Sequence, residues 1–266
     1  MKIYTVDSFT DTPFRGNPAG VCIVESALPD DTMLKIAQEL NLSETAFIQA
    51  SEVAERFSIR YFSPKMEIPL CGHATLASAR VLFADRGLSE IHFITANRVD
   101  LAVRTSLDVI EMTFPVYDTH PAEAPHLLLS ALGLESIENA AYNEETRILL
   151  LEIGSPDVLS RLAPDFEALY RAHNSINGVL VTAASGTDGF DFHSRFFWPW
   201  SGSNEDPVTG GTHTFLAKYW SDRLGKNKMR SYQSSSRTGS MEVELLDGKV
   251  LIRSQAVIVF KGEISL

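Results

Sequence analysis

The chain has 266 residues, of which 44% are hydrophobic and 21% charged, an ordinary globular composition that excludes a disordered or coiled-coil chain and has room for about two domains. Its formal net charge is −11 at pH 7 with the basic residues scattered, which argues against nucleic acid or an anionic membrane as a partner, and no apolar run reaches the roughly 18 residues needed to span a bilayer. The only cysteines, Cys22 and Cys71, cannot build a disulfide framework, and the early Asp7 leaves no apolar stretch for a signal peptide, so a soluble cytoplasmic protein is expected.

In chain order, residues 2–9 and 20–25 read as strands. Asp31 to Leu40 reads as a helix with Met33, Ile36, Ala37 and Leu40 on one side. Phe57, Ile59 and Tyr61 alternate as in a strand with one buried face. His73 to Arg86 reads as a helix that is apolar nearly all round, through Ala74, Leu76, Ala77, Ala79, Val81, Leu82 and Phe83. Such a helix is buried, and Gly87 stops it in the position that favours a left-handed cap. Strands follow at 91–96, 100–105 and 109–114, then a Pro- and Ala-containing crossover at 115–145. Strands recur at 147–153, 178–183 and 190–197. Thr212 to Leu224 repeats the apolar helix with Phe215, Leu216, Ala217, Tyr219 and Trp220 and stops at Gly225. The strands 241–246 and 249–260 are joined by the hairpin turn Asp247-Gly248.

The two halves resemble one another. Arg60-Tyr61-Phe62-Ser63-Pro64 matches Arg195-Phe196-Phe197-Trp198-Pro199 at an offset of 135 (195 − 60), and Pro29-Asp30 matches Pro164-Asp165 at the same offset. Downstream the offset becomes 138 (207 − 69), pairing Pro69 with Pro207, Gly72 with Gly210 and Gly87 with Gly225. The alternative is two unrelated domains sharing common turn residues, but a constant order with one small insertion favours duplication. The expected fold class is therefore α+β, with two similar domains, each of strands wrapped around one buried helix.

Each central helix begins after a glycine-containing turn, Pro69-Leu70-Cys71-Gly72-His73 in one half and Pro207-Val208-Thr209-Gly210-Gly211 in the other. A helix start carries free N–H groups and partial positive charge, and glycine lets an anion approach. Two such starts facing each other across a cleft would hold a carboxylate and stabilise an enolate-like intermediate. Acids sit nearby: Glu67 before the first turn, Asp206 directly before the second, and Glu44 in Ser43-Glu44-Thr45-Ala46-Phe47. Shifting Glu44 by 135 lands on Val179, so the acid/base equipment is asymmetric. Apolar walls would raise the pKa of Glu44 towards neutrality and suit it to take and return a proton. The competing reading of Glu44 is a surface or capping role.

The opening Asp7-Ser8-Phe9-Thr10 with Gly16-Asn17-Pro18-Ala19-Gly20, together with Ser43-Glu44-Thr45-Ala46-Phe47, Arg60-Tyr61-Phe62-Ser63-Pro64, Pro69-Leu70-Cys71-Gly72-His73-Ala74-Thr75 and Asp206-Pro207-Val208-Thr209-Gly210, resembles the PhzF family of phenazine-biosynthesis-like isomerases. The resemblance implies the diaminopimelate-epimerase-like fold, with two similar domains, each a β-barrel-like sheet around a central helix. It places an N-terminal domain at 1–116, completed by the C-terminal strand 255–266, and a second domain at 117–254. It also implies proton-transfer chemistry on a small carboxylate substrate between the domains, without a cofactor, and frequent homodimers. By position, Glu44 matches the family's general acid/base, and His73 and Asp206 its polar partners. Asn17 and the backbone at Gly72, Gly210 and Gly211 match substrate contacts. Many members carry Ser where this chain has Gly211, so a hydroxyl is missing there.

Other readings are weaker. A two-cysteine racemase would need a thiol at the mirror of Cys71, which is Thr209, so Cys71 reads as a small buried filler. Epimerisation of an amino or hydroxy acid by two acids stays open. The seven histidines show no short paired spacing, and Cys71-x-His73 is a lone pair of candidates, so no metal site is expected. No phosphate-binding glycine fingerprint follows a strand, so no redox cofactor is expected. Trp198-Pro199-Trp200 and His213 read as packing. A non-catalytic carboxylate binder would need the helix-start amides but no proton carrier, and the presence of Glu44 and Asp206 favours an enzyme.

Overall fold

The computed structural model describes residues 1–186, 188–201 and 203–265. The chain divides into two compact units, Met1–Thr113 with Leu251–Leu266, and Phe114–Val250. Leu266, the last residue of the strand expected at 255–266, lies outside the described residues.

The first unit opens with β1 (Lys2–Ser8), β2 (Asn17–Val24), α1 (Asp30–Leu40), β3 (Glu44–Ala50), β4 (Arg56–Phe62) and the short β5 (Glu67–Ile68). The buried helix α2 (Gly72–Arg86) follows, then β6 (Glu90–Thr95), β7 (Asp100–Ser106) and β8 (Val109–Pro115). β1 pairs antiparallel with β2. α1 makes the crossover that lets β2 and β3 run parallel, with Ala19 opposite Glu44. The helix α2 buries Ala74, Leu76, Ala77, Ala79, Val81 and Leu82 and packs on β1, β2 and β3. On the opposite face of the same strands, Ile3, Cys22, Val24 and Phe47 pack with Met33, Ile36 and Ala37 of α1. Burial on both faces explains why these strands read as nearly continuous apolar runs.

The second unit holds β9 (His120–Pro121), α3 (His126–Leu132), β10 (Asn139–Asn143), β11 (Ile148–Glu152), α4 (Pro156–Ser160), α5 (Phe166–Ala172), β12 (Gly178–Ala184), β13 (Phe192–Phe197), β14 (Glu205–Asp206), α6 (His213–Leu224), β15 (Lys228–Gln233) and β16 (Gly239–Leu246). Here α4 and α5 make the crossover between the parallel strands β11 and β12. α5 opens at the Pro164-Asp165 pair, where the Asp165 side chain accepts the Ala168 N–H at 3.0 Å. Leu128, Leu132, Leu159 and Leu169 of the outer helices pack on Leu149, Leu151, Val179 and Val181. The helix α6 buries Phe215, Leu216 and Trp220. Trp220 stacks on Phe192 with centroids 5.6 Å apart and donates its Nε1–H to Thr182 at 2.9 Å.

Register supports the duplication in detail. Tyr61 pairs with Ile68 and Phe62 with Glu67; Phe196 pairs with Asp206 and Phe197 with Glu205. Phe57 pairs with Phe93, and Phe192 with Ser231. The three extra residues of the second half therefore sit in the turn between β13 and β14. The register also corrects the mirror of Glu44. Thr45 opposes Phe62 and Val179 opposes Phe197, so Glu44 corresponds to Gly178, not Val179. A Cβ at Gly178 would lie 2.5 Å from the Phe196 ring, so that position has no room for any acid.

Both central helices end as expected, with Gly87 and Gly225 at φ of 66° and 67° in the left-handed region where glycine avoids a Cβ clash. Asp247 and Gly248 both take positive φ, as the hairpin turn requires. The strand expected at 249–260 is broken at Gln255, whose carbonyl accepts the Thr10 N–H at 3.2 Å, giving β17 (Lys249–Ser254) and β18 (Ala256–Glu263). β18 returns to pair antiparallel with β1, setting Lys2 opposite Glu263.

Candidate active site

Three stretches far apart in sequence meet at the start of α2. Asn17 is the first residue of β2 and Glu44 the first of β3. Because these strands are parallel, their starts lie at the same end of the sheet. His73 sits in the first turn of α2, whose ladder begins when the Thr75 N–H donates to the Cys71 carbonyl at 3.0 Å. The N–H groups of Gly72 and His73 precede that ladder and belong to the helix end that attracts negative charge. Ser8 ties this end to β1 by donating its hydroxyl to the His73 carbonyl at 2.8 Å.

Glu44 and His73 are each only 7% exposed, and His73 Nε2 lies 3.1 Å from Glu44 Oε2. On the other side of the ring, the Asn17 side-chain nitrogen is 3.2 Å from Nδ1. In the neutral ring, Asn17 donates to Nδ1 and the Nε2–H donates to Glu44. When Nδ1 is protonated, the amide must turn to present its oxygen, so Asn17 can serve either state. The Ser43 hydroxyl reaches Nε2 at 3.4 Å, and Cys71 Sγ lies 3.4 Å from Nδ1.

This pairing reverses the expected direction of the Glu44 pKa. Burial does push it up, but the hydrogen bond from His73, the charge of that ring and the Ser43 hydroxyl outweigh burial, and the carboxyl is held below its ordinary value. For His73, burial acts to lower the pKa, but the Cys71 sulfur and the Glu44 carboxylate together hold it well above the usual value. Burial, the strongest influence on Cys71, raises its pKa and keeps it a neutral thiol. The charge acting on His73 at neutral pH is therefore that of Glu44. The site combines an ionised carboxylate with a histidine able to share its proton, at a helix start that can stabilise an anion.

In the second unit, Asp206 accepts the Thr209 hydroxyl at 2.5 Å. Gln233 clamps the same turn, donating to the Asp206 carbonyl at 2.7 Å and accepting the Thr209 N–H at 2.9 Å. The N–H groups of His213 and Thr214 turn back to the carbonyls of Gly210 and Gly211, so those of Gly210 and Gly211 precede this helix start. Gly210 is buried and Gly211 exposed. Glu67 is paired with Arg60, accepting from two of its guanidinium nitrogens at 2.7 and 2.6 Å. Its counterpart is Glu205, which holds Arg195 at 2.7 and 2.8 Å. Sequence reasoning did not single out Ser8 or Ser43, although both stand inside the motifs that were. It set Cys71 aside as filler because spacing alone could not show the sulfur against the His73 ring.

His213 is fully buried, with Nδ1–H donating to the Thr209 carbonyl at 3.1 Å and Nε2 accepting from Ser231 at 2.9 Å. Burial pushes its pKa down from 6.5 to about 4. The unfolded chain binds this proton at higher pH than the folded one, so stability is complete above pH 6.5 and falls as pH drops towards about 4. The loss across that window is about 3 kcal/mol. In urea unfolding followed at pH 7 and pH 4.5, the difference should shrink in His213→Gln.

A family model described as phenazine biosynthesis-like protein matches residues 6–262. A mouse phenazine biosynthesis-like domain-containing protein is 40% identical, with 100% of this chain and 99% of the relative covered. An uncharacterized isomerase of Pseudomonas aeruginosa is also 40% identical, with the same coverage. The crystal structure of a PhzF-family protein from Enterococcus faecalis superposes with a TM-score of 0.92 at 37% identity, covering 100% of this chain and 99% of that one. The fold is of the PhzF and diaminopimelate-epimerase-like class. With its motifs in order along nearly its whole length, this chain belongs to the phenazine biosynthesis-like (PhzF) family of isomerases.

Proposed function

We propose that this isomerase moves a proton on a small carboxylic acid without a cofactor, with Glu44 as the general acid/base. The observation that carries the reading is the buried Glu44 carboxylate, 3.1 Å from His73 Nε2 at the start of α2. Glu44 takes a proton from a carbon activated by a carbonyl, carboxylate or conjugated alkene. The electron pair moves onto the activating group, where the N–H groups of Gly72 and His73 favour the developing negative charge. Glu44, whose carried proton exchanges with solvent in the interval, then returns a proton to that carbon or a nearby one, so no oxidant or reductant is needed. His73 donates its Nε2–H to the Glu44 carboxylate and so positions it, and Asn17 orients the ring. Asp206 and the backbone of Gly210 and Gly211 are proposed as further substrate contacts. Homodimeric assembly in the cytoplasm belongs to the same proposal, and sedimentation equilibrium tests the assembly.

The functional test is incubation in deuterated water with small unsaturated or amino carboxylic acids. Deuterium should enter one carbon position. Inversion at that carbon would assign epimerisation with Asp206 acting from the opposite face; double-bond migration would assign isomerisation. No exchange across such a panel would defeat the reading. For the second helix start, Gly211→Val is a clean probe, because a Cβ there meets nothing within 4 Å. The variant should fold normally and bind the exchanging acid at least tenfold more weakly by calorimetry, about 1.4 kcal/mol. Unchanged affinity would make that turn purely structural.

A further inference from the structure

Asp188, His193 and Ser234 come from three separate stretches of the second unit and line one cavity of about 430 Å³. His193 Nε2 lies 2.7 Å from Asp188 Oδ2, and its Nδ1 lies 3.2 Å from the Ser234 hydroxyl. Proton transfer at Glu44 uses none of the three. We propose that they form a second catalytic centre that hydrolyses small uncharged carboxylic esters, with Ser234 as nucleophile, His193 as general base and Asp188 as the carboxylate that orients the ring.

The fold holds each group in place. β13 and β15 run parallel, with His193 opposite Tyr232. The Ser234 N–H carries that ladder one residue past β15 by donating to the Ser194 carbonyl at 2.9 Å. His193 is 8% exposed, and its ring is flanked by Phe190 and Tyr232, with centroids 5.9 and 5.0 Å away. Asp188 Oδ1 accepts the Ser185 hydroxyl at 2.8 Å and the Phe190 N–H at 3.2 Å, which leaves Oδ2 for His193. Burial acts to raise the pKa of Asp188, but these two donors and the His193 ring outweigh it and hold the carboxyl below its ordinary value. An ionised carboxylate only accepts, so Nε2 carries the ring hydrogen and Nδ1 presents its lone pair to the Ser234 O–H. The two nitrogens exchange the places they take in serine proteases. The chemistry requires only that one bears a hydrogen and the other a lone pair.

Ser234 Oγ attacks the ester carbonyl carbon while its proton passes to His193 Nδ1. The bond from that carbon to the alcohol oxygen then breaks, and the departing alcohol takes the proton. Water attacks the acyl-serine with the same base, which releases the acid and restores the serine. The Ser235 N–H, next after the nucleophile, is bound to no described backbone carbonyl and occupies the chain position that supplies an oxyanion donor in many serine hydrolases. Asp157 and Asp188 both line the cavity and repel a negatively charged acyl group. Ser160, Ser185 and Thr238 line it too, and their hydroxyls suit a polar uncharged one.

The test uses the full chain with p-nitrophenyl acetate and, separately, a fluorophosphonate probe, which labels only activated serines. Mass spectrometry of the digested protein should find one adduct, on Ser234, and none after unfolding in urea before labelling. Ser234→Ala should abolish the adduct and slow ester hydrolysis at least 100-fold. Ser236→Ala, at an exposed neighbour, should label as wild type does. Asp188→Asn separates orientation from packing. Ser185 and the Phe190 N–H hold the amide oxygen at the Oδ1 place, so the amide nitrogen faces Nε2 and drives the ring hydrogen to Nδ1. Such a ring cannot take the serine proton, and labelling should slow at least 100-fold with the fold unchanged by circular dichroism. No adduct on wild type, an adduct on another residue, or hydrolysis at the wild-type rate in Ser234→Ala overturns the centre. Labelling of Asp188→Asn at the wild-type rate overturns the role of Asp188.

Discussion

Glu44→Gln should reduce substrate deuterium exchange by about 10²–10⁴-fold, the usual contribution of a positioned acid/base group, while fold and ligand affinity persist. Glutamine keeps the length of the side chain, and its carbonyl oxygen can still accept the Nε2–H of His73 across the 3.1 Å now spanned by the ion pair. It cannot hold a transferred proton. The variant also has a spectroscopic signature. Removing the carboxylate removes one of the two groups, with the Cys71 sulfur, that hold His73 above its ordinary pKa, so the ring should titrate at lower pH in an NMR titration. A Gln variant that exchanges as fast as wild type would remove Glu44 as the base. An unchanged His73 titration would mean that Glu44 is not the charge acting on the ring.

The second large effect is on stability. Arg195→Ala should destabilise the second unit by about 3–5 kcal/mol, the cost of breaking a buried ion pair from one side. The Arg195 side chain is only 9% exposed. Besides its two bonds to Glu205, it donates to the carbonyls of Leu159 and Leu162 at 3.2 and 2.7 Å, and its guanidinium stacks over Phe197 at 4.9 Å. Truncation strands a carboxylate and two backbone acceptors together. Its counterpart Arg60 makes the same fork to Glu67, but its side chain is 29% exposed and its other partner, Asp30, is 77% exposed. Water can replace those bonds, so Arg60→Ala should cost no more than about 1 kcal/mol. All three tryptophans, Trp198, Trp200 and Trp220, fall in the second unit, so their fluorescence in urea reads Arg195→Ala directly. Circular dichroism reads both variants. Equal losses would show that burial does not separate the two forks.

The sequence by itself determined the local elements and their repetition. The all-round apolar stretches with a glycine at their ends fixed α2 and α6 to within a residue of Gly72–Arg86 and His213–Leu224, because helix burial and left-handed caps are written in neighbouring residues. The offsets of 135 and 138 located the matching hairpins, whose register then agreed residue for residue. What required tertiary structure was anything that depends on which distant residue ends up alongside. The sequence left Glu44 open between a buried proton carrier and a surface or capping residue; its partner His73 is 29 positions away (73 − 44), and that contact reverses the direction of its pKa. Glu67 and Glu205 looked like spare acids beside the turns until the short strands β5 and β14 set them against Arg60 and Arg195. The closeness of the Cys71 sulfur to the His73 ring belongs to the same class, whereas the return of β18 to β1 was expected from the family resemblance alone. Local periodicity records which face of a segment is buried. It does not record what that face meets, and the charge state of a buried group is set by what it meets.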